Sequence, residues 1–121
     1  MSGTSSTFND PTVNLHGTLL NNVLAPTDGE WMYVEGYDKI SVNLIIAAPV
    51  TVILCGSNED NPLNSTHGVD LVAKGLVSNI TPASPGNITA SIIASIKAPL
   101  KWIKARVTVC TGSVSAPFVA V

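Results

Sequence analysis

Ser57, His67 and Asp70 stand close together in the sequence, beside the acid-and-amide run Gly56-Ser57-Asn58-Glu59-Asp60-Asn61-Pro62. Residues of these types serve three chemistries: nucleophilic hydrolysis, metal binding and paired-carboxylate catalysis. A hydrolytic serine needs a base in reach and, in its commonest α/β setting, a Gly-x-Ser-x-Gly elbow that exposes the hydroxyl. Ser57 follows Gly56 in a turn without that elbow, and in a chain with 12 Ser a neighbouring His and Asp is expected by chance. A calcium loop spaces its acids at positions 1, 3 and 5 and closes with a glutamate at 12. Here Asn58, Asp60 and Asn64 are loosely placed, Pro62 intervenes and no later glutamate follows. His16, His67, Cys55 and Cys110 lack the short paired spacings of a zinc finger or ribbon. Glu35 and Asp38 flank a Gly-Tyr turn that reads as exposed, whereas sugar cleavage needs one carboxyl buried with a raised pKa. No Gly-rich phosphate cradle is present. These readings predict no enzyme, no metal and no cofactor. They leave Gly56, Ser57, Asn58 and Asp60 as a turn at a strand end, with the Asn58 and Asp60 side chains capping backbone groups.

The elements around that turn read as strands. Ile40, Val42, Leu44 and Ile46 fall on one face of residues 39–46, and Val50, Val52 and Leu54 on one face of residues 48–56. A period of two marks a strand with one side in a core. The three residues Ala47, Ala48 and Pro49 are short enough to join these runs as a hairpin. The clearest strand is 101–110, with Ile103, Ala105, Val107 and Val109 inward and Trp102, Lys104, Arg106 and Thr108 on the other face. Residues 87–96 fit a helical stripe or a strand, and flanking Pro85, Gly86 and Pro99 with the β-branched content favour strand. Weaker strands are expected at 13–20, 30–35, 68–74 and 75–80. A last one spans 113–121, where Pro117 points to a sheet edge. Trp31, Tyr33 and Phe118 are expected in the core, leaving Trp102 and Tyr37 available. Short strands with turns every eight to twelve residues and no helix predict a single antiparallel β-sandwich or jelly roll over 13–121. Residues 1–12 have too few apolar groups to fold alone and read as an extended N-terminal arm with one apolar anchor, Phe8.

Composition bounds the partners. Charged residues make up 12% of the 121, about half the ~25% of an ordinary soluble domain. Their place is taken by 12 Ser, 11 Thr and 10 Asn, which are far cheaper to desolvate than ions. Such a surface suits a protein packed against neighbours. A net charge of −2 argues against a nucleic-acid partner. Acids gather at Asp28, Glu30, Glu35 and Asp38 and bases at Lys97, Lys101, Lys104 and Arg106, either as complementary edges within the fold or as poles that steer docking. The N-terminus lacks a signal peptide's basic and apolar regions, and the apolar stretch 42–55 is interrupted by Asn43, Pro49 and Thr51. A membrane span needs ~20 apolar residues, so no membrane association is expected. Cys55 and Cys110 read as free, half-buried thiols of a protein made in a reducing cytoplasm.

Three segments together resemble the small jelly-roll head proteins of tailed bacteriophages, the decoration or cement proteins. In those an aromatic strand precedes a Gly-x-x-x-Val-Ser-Val-type strand, matched here by Trp31, Gly36, Ile40, Ser41 and Val42. A Thr-Val-x-x-x-Gly-Ser-Asn-Asp segment is matched by Thr51, Val52, Gly56, Ser57, Asn58 and Asp60, with Glu59 extra. A strand beginning Pro-x-x-aromatic-Ile-Arg is matched by Pro99, Trp102, Ile103 and Arg106, with Lys104 where arginine is more frequent. The resemblance covers roughly residues 20–121. It implies a virion protein on the outside of a phage head, made in the host bacterial cytoplasm. It further implies that the chain clamps major capsid protein subunits and forms a homo-oligomer, a trimer in preference to a dimer. Phe8, Trp102, Lys104 and Arg106 are then the candidate interface residues. The alternative is a carbohydrate- or receptor-binding sandwich of a tail fibre or spike.

Overall fold

A computed structural model describes residues 14–62, 68–97 and 99–121. Ten strands follow in chain order: β1 (Leu15–Thr18), β2 (Thr27–Asp28), β3 (Met32–Tyr33), β4 (Ile40–Ala47), β5 (Val50–Ser57), β6 (Val69–Asp70), β7 (Ile92–Ile96), β8 (Trp102–Cys110), β9 (Ser113–Ser115) and β10 (Pro117–Ala120). They form two five-stranded antiparallel sheets. The first runs β1-β10-β4-β7, with β9 also on β4; the second runs β2-β8-β5-β6, with β3 also on β8. The sheets pack face to face as a β-sandwich, the predicted fold class.

The core lies where the period-two runs place it. Ile40, Val42 and Leu44 face Val50, Val52 and Leu54 across the sandwich, each at most 2% exposed. Ile103, Ala105 and Val107 fill the same layer from β8, and Phe118 and Ala120 from β10.

Several expectations are corrected. β4 and β5 are not a hairpin: they lie in different sheets, and Ala48–Pro49, a cis peptide, carries the chain from one layer to the other. The second crossing, from β8 to β9, nests against the first, with Thr111 and Gly112 donating to Pro49 O at 3.0 and 3.2 Å. Only glycine fits there, since a Cβ on residue 112 would stand 1.7 Å from Ala47 O.

Val109 was expected inward and is 48% exposed. Thr51 pairs with Val109 but Val52 pairs with Val107, so Thr108 is an extra residue on β8. This bulge reverses the alternation beyond it, turning Val109 out and Cys110 in. Pro117 does not mark an edge, because β10 lies between β1 and β4. Ser115↔Ile45 and Phe118↔Val42 share one register, and the ladder lapses between them, at the proline that has no N–H to give. Residues 68–80 contribute only β6 and an isolated bridge, Val77↔Ile96, with a turn between. Residues 87–96 are extended, as β7 and the bridge Ile88↔Val52.

Candidate interaction surface

The turn at the end of β5 works as a buckle. Ser57 Oγ accepts the Glu59 N–H at 3.1 Å, and Asn58 Oδ1 accepts the Lys101 N–H at 2.9 Å. Trp102 Nε1 donates to Glu59 O at 3.0 Å, and Lys101 Nζ meets Asp60 Oδ1 at 2.7 Å. Asn58 therefore caps a backbone group as expected, while Asp60 holds an ammonium instead, and the capping role of Ser57 was missed. Gly56 packs closely, and a Cβ there would lie 2.8 Å from the methyl ends of both Leu71 and Leu100, which would have to shift. The Lys101 ammonium holds the Asp60 carboxyl below the usual carboxylate range, and Asp60 in turn raises Lys101.

Two of the three triad candidates, Ser57 and Asp70, are engaged with backbone amides. Asp70 accepts the Ala73 N–H at 3.0 Å with one oxygen and the Gly86 N–H at 2.7 Å with the other. His67 lies outside the described residues, as does Phe8. Among the described residues no group of three or more His, Cys, Asp or Glu converges as a metal site would require.

The candidate interface residues on β8 separate into different environments. Trp102 is half-buried, its ring centroid 4.8 Å from that of Tyr33 at 62°, an edge contact. Tyr33 is 54% exposed rather than in the core, because its pairing with Trp102 sets it on the outer face of its sheet. Its hydroxyl donates to Glu35, and that bond pushes the phenol pKa up. Tyr37, expected to be available, is half-buried against the core. Arg106 is half-buried, opposite Asp28 of β2.

Lys104 is 1% exposed and offers no free surface. It points to the outer side of its sheet as the alternation predicts, but Trp31 covers it, 4.9 Å from Nζ to ring centroid. Its charge is met by Asp28 at 2.7 Å. The acidic and basic clusters thus join inside the fold at this point. Beside them Cys55 is buried, which raises its thiol pKa against the opposing pull of Lys104 and Arg106.

The opposite sheet carries a feature that motif reasoning passed over. Strands β1, β4, β7, β9 and β10 contain no Asp, Glu, Lys or Arg, whereas Asp28, Asp70, Lys104 and Arg106 all lie on strands of the other sheet. The outer face of the first sheet is a grid of neutral side chains. One row is His16, Val119, Ser41 and Ser95; the next is Thr18, Pro117, Asn43 and Ile93. Ile45, Ile93 and Val119 are 52%, 57% and 38% exposed on it. A shallow concavity of about 350 Å³ opens there. The signal was present in the sequence as an absence of charge from 15–18, 40–47, 92–96 and 113–120.

No family model matches the chain, and no curated protein matches it. Among solved structures it is similar to the SPBc2 prophage-derived protein YomS, with a TM-score of 0.66 at 11% identity, over 89% of this chain and 92% of that one. At that identity the likeness is one of fold.

Proposed function

We propose that this chain is a structural protein of a phage virion, a decoration protein that binds the outside of the head and clamps neighbouring major capsid protein subunits. The observation that carries this reading is the sandwich it shares, over nearly its whole length, with a prophage-derived protein. The connectivity supports it. With β2 joined to β3 and β9 to β10, eight strands remain, ordered 1-8-3-6 and 2-7-4-5 in the two sheets. That order fits the wrapping expected of a jelly roll, in which the chain crosses between layers at almost every connection. The mechanism is additive: each copy contributes modest contacts, and repetition over the shell multiplies them. No catalytic step, cofactor, nucleic acid or membrane enters it.

The protein is made in the host cytoplasm and acts on the particle surface as a homo-oligomer, with a trimer preferred to a dimer. Residues 1–12 serve as a tether, Phe8 being its apolar anchor. Imaging of intact particles tests the reading: density for the sandwich outside the coat supports it, and density confined to the tail refutes it. Deleting residues 2–12 should leave the melting temperature unchanged and weaken attachment.

One observation favours a second reading, a carbohydrate-binding module. The exposed Tyr33 ring stands beside a cleft lined by Glu35, Asn58 and Lys101, an aromatic platform next to polar groups. Quenching of Trp102 fluorescence by oligosaccharides of the host envelope, lost in Tyr33→Ala, would favour it.

A further inference from the structure

We infer that the neutral outer face of the β1-β10-β4-β7 sheet is the surface that meets the shell, and that its partner is a flat, uncharged patch repeated across a protein lattice. This rests on the decoration reading and specifies which face docks and what it docks against.

Three observations carry it. The first is charge. A partner laid on this face would bury Ser41, Asn43, Ile45, Ile93 and Val119 without stranding an ion, because no strand of the sheet supplies one. Lys39 and Lys97, next in sequence to β4 and β7, stand together at one end, where Ile40 pairs with Ile96. Away from that lysine end the face accordingly selects a neutral counterpart, since a charge placed against it would lose its water and gain no partner.

The second is the state of the sheet's edge. A sheet can also recruit a partner by adding a strand. On β7 that route is closed, because the Asn79 side chain imitates a strand: Nδ2 donates to Ile93 O at 2.6 Å and Oδ1 accepts the Ser95 N–H at 3.0 Å. Ser91 does the same at the end of β4, its Oγ accepting the Ile46 N–H at 2.8 Å and donating to Ile46 O at 3.3 Å. Edge groups beside the exposed Ile93 and Ile45 are occupied while the side chains themselves are left in water. At this end of the sheet, contact is directed to the face.

The third is size. Four strands spaced ~4.8 Å apart and presenting about four residues each at ~3.3 Å offer roughly 250 Å² of flat surface. A stable stand-alone pair buries about 800 Å² on each partner. The face is too small to hold a second copy of the chain by itself. It is adequate where the same weak contact recurs and the chain's other contacts keep it in place, as on a lattice.

The experiment uses the full-length protein and heads from the virus that encodes it, stripped of this protein. Ile93→Lys and Asn43→Lys place a charge on the face at exposed positions. Val109→Lys is the matched control, an aliphatic residue 48% exposed on the other sheet. Circular dichroism and melting establish that all three are folded. We expect the two face variants to bind heads at least about 30-fold more weakly, the loss produced by an unpaired charge in a contact, and Val109→Lys to bind as the parent does. Face variants that bind like the parent overturn the inference and leave the decoration reading standing. A parent that does not bind heads removes that reading and the inference with it. A change in sedimentation coefficient confined to the face variants also overturns it, by making the face a contact between copies.

Discussion

The two partners of the Lys104–Asp28 ion pair should differ sharply in what their removal costs. The ammonium side chain is 1% exposed and the carboxylate side chain 45%. At their 2.7 Å separation the gross attraction is about 6 kcal/mol for an effective dielectric of ~20. Much of it is cancelled by the loss of lysine hydration. Asp28→Ala removes the carboxylate and strands the ammonium, leaving it the Trp31 face, a contact of about 1–2 kcal/mol. A fully buried stranded ion costs about 3–5 kcal/mol, and the open side at residue 28, through which water can reach Nζ, lowers the expectation to about 2–3 kcal/mol. Lys104→Met keeps the packing of the stem and leaves Asp28 half in water, so it should change stability by less than about 1 kcal/mol. Asp28→Ala combined with Lys104→Met should recover most of what Asp28→Ala alone loses. Urea unfolding of the four proteins reads this directly, and about 4 °C of melting temperature per kcal/mol gives an independent check. If Lys104→Met proves as costly as Asp28→Ala, or Asp28→Ala melts with the parent, the account of a buried charge held by one half-exposed partner is wrong.

Four further outcomes are expected. Val52→Asp, at a position with no exposure, should cost at least about 4 kcal/mol in urea unfolding. Val109→Asp should cost under about 0.5 kcal/mol, and equal costs would refute the bulge. Asn79→Ala should lose about 1 kcal/mol and aggregate faster by light scattering, because it reopens the β7 edge. Asp60 titrates in the fold below its ordinary value, so its bond to Lys101 contributes above the unfolded carboxylate pKa and is lost as pH falls through the folded one. An NMR titration should show the Asp60 midpoint rising in Lys101→Ala, and an unmoved midpoint would remove Lys101 as the cause.

The fold is legible in the sequence where one physical signal dominates. Strands β4, β5 and β8 follow from alternation, because burying one face of a strand forces a period of two. Each departure has its own cause. Val109 failed because a single extra residue, Thr108, inverts every position beyond it, and a bulge leaves no mark in hydropathy. The β4–β5 hairpin failed because three residues can close a hairpin or cross a sandwich, and only the partners of each strand decide which. Tyr33 failed because a two-residue strand has no period to read. The facing of Lys104 was right and its exposure was not, since the alternation that placed it on the outer side says nothing of the Trp31 ring laid over it. The Gly56–Asp60 turn was legible as a turn. Its partners were not, because Lys101 and Trp102 lie more than forty residues away.

The distribution of charge joins these particulars. Among the ions this fold places on strands, Lys104 is met by Asp28 and Asp70 by the Ala73 and Gly86 amides. The first sheet has no ion to satisfy, and hydroxyls and amides complete its β7 edge and the end of β4. A neutral face with three exposed aliphatic residues would invite association by strand addition if those backbone groups were open. Asn79 and Ser91 remove that route on the β7 side and leave the face itself untouched. On the proposed reading, solubility before assembly and adhesion after it depend on different atoms of the same sheet: the edge plugs suppress strand pairing, while the exposed Ile45, Ile93 and Val119 meet the flat partner. Asn79→Ala should accordingly aggregate and still bind heads, whereas Ile93→Lys should stay soluble and fail to bind. A molecule in which one substitution abolished both properties would not have separated them in this way.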